Sequence, residues 1–173
     1  MSHPLLMALF SDLSSAAAFA RSAHTLGVER SDLSVVAQDH QHEERISREI
    51  DASPGSEIED SKTASRLGEL SGYILAAIAI GLPGTGAVVA AGPLAAELGE
   101  AAGHVAGQVA GDLKATLVKA GMSETDADHW RAQIESGRAI LLGVHARNGR
   151  ADEIEALMAR NSTGPVVSAQ WND

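Results

Sequence analysis

The chain contains no cysteine, so it has no disulfide framework, no thiolate nucleophile and no cysteine-ligated metal, and it suits a reducing compartment. Aromatic residues are also scarce, at 3% against a hydrophobic content of 45%. The apolar side chains are therefore mainly Ala, Val and Leu, which must pack closely to make up for the missing bulk. Basic residues are outnumbered: 13 Lys and Arg stand against 23 Asp and Glu, giving a net charge of -10 with no basic cluster. That balance argues against nucleic acid or an anionic membrane as partner. The opening Met1-Ser2-His3-Pro4 lacks the basic-then-apolar pattern of a secretory signal. A cytoplasmic protein is the expectation.

An unbroken apolar run of membrane length is missing as well. No residue between Leu70 and Ala96 is charged, but Gly81-Leu82-Pro83-Gly84-Thr85-Gly86 and then Gly92-Pro93 interrupt the stretch. Each remaining piece is too short to cross a bilayer as a helix. Cover by protein is expected for both pieces, with peripheral membrane contact the less favoured alternative.

With 173 residues the chain is long enough for a buried core, and one domain is the expectation. Leu5 to Phe10 is a short apolar run that predicts a strand. Ser11 or Asp12 then offers an N-cap to a helix carrying Leu13, Ala16, Ala17, Ala20 and Ala23 at helical spacing and closed by Gly27. Leu33, Val35 and Ala37 alternate with Ser34 and Gln38, as in a strand with one buried face. Residues 1–38 thus form a first βαβ half. Residues 39–65 are a polar, acidic excursion around Ser53-Pro54-Gly55-Ser56. Residues 66–121 are rich in glycine and alanine, and predict a helix over Ser65 to Ile80, a turn at Pro83-Gly84, and one or two helices from Ala87 to Ala120.

A second half occupies residues 122–173. Ser123 and Asp126 have capping-box spacing ahead of Ala127, Trp130 and Ile134 on one helical face, and Gly137 stops that helix. Ala139 to Ala146 predicts a strand, Arg150 to Arg160 a helix with Ile154, Leu157 and Met158 inward, and Pro165 to Ala169 a short edge strand. Two βαβ halves flanking a glycine-rich helical insertion suggest an α+β, ferredoxin-like sandwich with both crossovers on one face of the sheet.

Several segments resemble the bacterial heat-induced general stress protein family (YflT-like). They are Leu9-Phe10-Ser11 with Ala16 to Leu26, Leu33 to Ala37, Gly81 to Ala95, Gly121 to Ala127, and Gly137 to Val144. The proline-glycine segment is the most specific of these. The resemblance implies a stress-associated role, two strand-helix halves around a glycine-rich centre, and no catalytic residues to carry over. The chain departs from the family in its His- and acid-containing stretch, residues 40–60, and in its tail from Ala169 to Asp173.

Gly81 to Gly86 looks like the start of a phosphate loop, but Ala87 and Val88 stand where that loop needs Lys and then Ser or Thr. There is no GxGxxG, because Val89 occupies the third glycine position, and no Gly-x-Ser-x-Gly elbow. No cofactor is expected. His40, His42, Glu43 and Glu44 are the densest set of metal-ligand types, with His40, His42 and Glu44 as weak metal candidates; a solvated acidic loop is the plainer account. His129 and His145 are isolated, and each is expected to be a surface or internally satisfied side chain. His104 flanks a glycine stripe.

That stripe, Gly99, Gly103, Gly107 and Gly111, lines up on one side of a helix, and Gly68 with Gly72 offers a matching notch. Glycine in a helix interior costs about 0.5 to 1 kcal/mol relative to alanine, so close packing must offset the penalty. These six glycines are the expected interaction residues, within the chain or between copies. The leading expectation is a non-enzymatic, stress-associated protein that self-associates, a dimer being favoured, or meets a protein partner through the insertion. A small-ligand or metal-binding sensor is the alternative, and an enzyme without a familiar motif the third reading.

Overall fold

A computed structural model of the chain describes residues 2–38, 78–82, 86–94, 98, 113–147 and 149–172. Strand β1 spans Ser2–Phe10 and alternates in the strict sense: Leu5, Met7 and Leu9 enter one apolar cluster, Leu6, Ala8 and Phe10 another. A strand buried on both sides needs cover on both sides of its sheet. Helix α1, Leu13–Thr25, starts at Asp12, whose Oδ1 accepts the Ser15 N–H at 2.8 Å, and buries Ala16, Ala17, Phe19, Ala20 and Ala23. Its end is a glycine stop. Gly27 has φ 84°, its N–H reaches the His24 carbonyl, and the Val28 N–H reaches the Ala23 carbonyl at 3.1 Å.

Strand β2 is Leu33–Gln38, β3 is Ile78–Leu82 and β4 is Gly86–Ala91. Helix α2 spans Leu113–Lys119 and α3 spans Glu124–Glu135, the latter capped by the Ser123 hydroxyl, which accepts the Asp126 N–H. Strand β5, Ile140–His145, helix α4, Ala151–Asn161, and strand β6, Val167–Asn172, complete the described elements. Six strands form one sheet in the order β3-β4-β2-β5-β1-β6, and every neighbouring pair is antiparallel. The chain passes from β1 through α1 to β2, over β5, and from β5 through α4 to β6, over β1.

Helices α1 and α4 pack on each other and on one face of the sheet, where Phe10 and Phe19 meet with ring centroids 5.4 Å apart. Helices α2 and α3 cover the other face, bringing Leu113, Leu117, Trp130 and Ile134 against Leu5, Met7, Val36 and Leu141. The class is α+β. Because both faces are covered, β2 is buried at Leu33 through Val36 and again at Gln38, not on the single face that its alternation predicts.

The inserted segment differs from expectation. Residues 78–80 are strand, not the end of a helix, and Gly86–Ala91 is strand where a helix was predicted. The run supplies no charged residue to mark a face, so helical and strand periods are hard to tell apart there, and β-branched Ile78, Ile80, Val88 and Val89 favour the extended form. The last strand also lies later, at Val167–Asn172, so that Trp171 belongs to the sheet. The polar excursion at 39–65, the metal candidates His40, His42 and Glu44, His104, and the interaction glycines Gly68, Gly72, Gly99, Gly103, Gly107 and Gly111 lie outside the described residues.

Candidate functional site

The densest buried polar arrangement among the described side chains is built from three strands. His3 shares the β1 side that carries Leu5, Met7 and Leu9, and His145 ends β5 on the same side as Leu141. In register, Leu5 faces His145 and His3 faces Trp171 of β6. The two histidines are thus diagonal neighbours across β1 and β5, a separation that ring side chains can bridge. His3 is 7% exposed and His145 1%. His3 Nε2 and His145 Nδ1 lie 2.8 Å apart, and the Trp171 ring stands at 90° to the His145 ring with centroids 5.0 Å apart.

The geometry selects the chemistry. The imidazole centroids are 5.1 Å apart, which leaves room for little more than the 2.8 Å gap and the two ring radii, so the facing nitrogens lie close to the line between the rings. A lone pair aimed straight at another nitrogen makes a hydrogen bond. Two ligands of one metal ion would instead converge from different directions on a common point. One ring must donate an N–H and the other must accept it, which requires at least one neutral imidazole. Among the described residues, no group of three or more His, Asp or Glu is placed to hold a metal ion.

Backbone bonds fasten this end of the sheet. The Ala146 N–H donates to the Pro4 carbonyl at 2.8 Å, and Arg147 Nε stands 3.5 Å from Asp32 Oδ1 just ahead of β2. Val36 pairs with Leu141 and Leu33 with Val144, so β2 runs away from His145 and reaches Gln38 at the opposite end. The stretch with His40, His42 and Glu44 follows Gln38 in sequence and lies outside the described residues. His129 is exposed on α3. Isolation, the expectation for both His129 and His145, does not hold for His145, whose partner is His3. The signal was present in the alternation of His3 with Leu5, Met7 and Leu9, which marks His3 as facing the core; the neighbour it meets there is set by strand order.

The phosphate-loop lookalike is excluded by its surroundings as well as its residues. It joins strand β3 to strand β4, which pair with each other, whereas a phosphate loop leads from a strand into a helix whose N-terminus faces the anion. Elsewhere the charged groups form exposed pairs. Lys114 Nζ is 2.7 Å from Asp128 Oδ2, and this hydrogen bond holds the Lys114 ammonium above its ordinary range. Arg150 grips Glu153 through two nitrogens, at 2.9 and 2.6 Å, and that contact lowers the Glu153 carboxyl.

Searches against protein-family models, curated proteins and solved structures return no match for this chain. Among the described residues, no helix is long and apolar enough to cross a membrane.

Proposed function

We propose that this is a non-catalytic, stress-associated protein that acts by self-association through the segment inserted between β2 and α2. The observation carrying the reading is the position of β3 at one edge of the sheet, with β4 its sole strand neighbour among the described residues. Its sequence, Ile78-Ala79-Ile80-Gly81-Leu82, has none of the charges or prolines that ordinarily blunt an edge. A second copy of the same strand can add to it about a two-fold axis, since an antiparallel pair of identical strands is self-complementary. The stress association rests on the sequence resemblance, and a cytoplasmic location on the cysteine-free composition. The order β2-β5-β1-β6 with α1 and α4 on one face supports a ferredoxin-like core, which the β3–β4 hairpin extends.

Sedimentation over a concentration series tests the reading. A dimer is expected for the wild type, with Ile80→Lys shifting it to monomer because the two-fold brings like charges together. Gly103→Leu, on the glycine stripe, asks whether that stripe belongs to the same interface. A wild type that stays monomeric at high micromolar concentration overturns the proposal.

A further inference from the structure

We propose that Gly92, Pro93 and Leu94 form a register pin: they select one of two nearly equivalent pairings of β4 on β2, and so fix which residues the β3 edge turns to each side. Strand β4 sets Ala91 against Val35, Ala90 against Val36, Val89 against Ala37 and Val88 against Gln38. Val88 and Ala90 are fully buried in the apolar cluster that holds Val36. The sequence Val88-Val89-Ala90-Ala91 is doubled, however. A slip of one residue would bring Val89 and Ala91 to the places of Val88 and Ala90, and the core would receive the same side chains. Register is ordinarily specified because such a slip carries apolar residues out of the core, and β4 lacks that safeguard.

The residues after the strand break the tie. Gly92 has φ 79°, and a Cβ at that point would overlap the Leu33 carbonyl oxygen and lie 2.8 Å from Ser34 Cα. In the slipped pairing Pro93 would arrive there, bringing a Cβ and a ring that holds φ at about −65°. Leu94 is the second lock. It is buried, its N–H is held by the Ser34 hydroxyl, and its side chain fills the space left by Gly143. The slip would offer Ala95 in its place and leave a void. Because β3 pairs with β4 from Ile78 opposite Ala90 to Leu82 opposite Gly86, it would follow the slip, and its alternate residues would change sides. The consequence for assembly rests on the proposed self-association through β3; the pin itself does not.

The chain has no cysteine, so an introduced pair reports the register directly. Val36→Cys with Ala90→Cys joins residues that face each other in the observed pairing, and Val36→Cys with Ala91→Cys joins residues that only the slip would oppose. The full chain is oxidised at high dilution, so that links form within one molecule, and the links are mapped by mass spectrometry. With the native pin the first pair is expected to crosslink and the second is not. Pro93→Gly with Leu94→Ala turns residues 88–95 into Val-Val-Ala-Ala-Gly-Gly-Ala-Ala, in which every residue is doubled and the slip becomes silent. In that background the second pair is expected to gain a crosslink in yield comparable with the first. Pro93→Gly alone, which keeps the buried leucine, is expected to give a smaller gain and stands as the test if the double variant fails to fold. A second-pair yield that does not rise in the folded variant, or a second pair that crosslinks readily with the native pin, overturns the proposal. A wild type that stays monomeric removes association through β3 and leaves the crosslink result standing.

Discussion

Ser34 Oγ accepts the backbone N–H of Leu94 at 3.1 Å, joining two residues 60 positions apart. Both are buried, at 0% and 1% exposure, and the contact fastens the inserted segment to the central strand β2. Leu94 rests beside Gly143, where an added Cβ would come within 3.0 Å of the leucine Cδ1. A hydroxyl on β2 and a missing side chain on β5 together make the seat.

Ser34→Ala removes the acceptor and leaves a buried N–H without it, which costs about 1 to 3 kcal/mol. The urea midpoint is expected to fall with the slope unchanged. A midpoint equal to that of the wild type would mean that water or another group satisfies Leu94 and that the seat is held by packing alone.

The helix caps give a pH-dependent prediction. The Asp12 carboxyl titrates below its ordinary value, mainly because it accepts the Ser15 backbone N–H, with help from the Ser11 hydroxyl. A carboxyl depressed in the folded state contributes stability that is fully present above its unfolded value, near pH 3.9, and lost as pH falls through the folded value. Asp12→Asn keeps a capping oxygen but cannot titrate. Its stability is expected to track that of the wild type at pH 3 more closely than at pH 7, measured as the difference in unfolding midpoint at the two pH values.

At the other half of the chain, Ser123→Ala deletes the oxygen that accepts the Asp126 N–H. A loss of about 1 kcal/mol is expected, as for other N-caps. Ser123→Thr, which restores both the acceptor for the Asp126 N–H and the hydroxyl that donates to Asp126 Oδ2, should recover most of it in the same thermal melt. Equal melting of Ser123→Ala and wild type would assign the start of α3 to its packing through Ala127 and Trp130.

With so few aromatic residues, each buried ring carries an unusual share of the packing. Phe19 is fully buried on α1 and meets Phe10 of β1. Phe19→Ala is expected to cost about 3 to 5 kcal/mol, while Phe19→Leu, which keeps most of the volume, should cost well under half of that. Denaturant unfolding of the two variants checks the ratio, and similar losses for both would show that ring geometry, more than volume, is what the site requires.

Local signals carry much of this fold and none of its buried pair. Asp12, Ser123, Gly27, Gly121 and Gly137 bound their helices by caps and glycine stops that act within a few residues, so α1 and α3 are legible from the chain alone, as are α4, through the helical spacing of Ile154 and Met158, and the outlines of β1, β2 and β5. Ile78–Leu82 and Gly86–Ala91 are not, because a run without charge has no charged face to reveal its period; Gly86–Ala91 becomes a strand by pairing with β2, and Ile78–Leu82 by pairing with Gly86–Ala91. The second covered face of β2 was hidden for a related reason: helices α2 and α3 come from distant sequence. Alternation alone determines that His3 points inward with Leu5 and Met7. That it meets His145 and not another residue is decided by β1 lying between β5 and β6, a choice made by the whole sheet as it closes its antiparallel ladders and buries both faces.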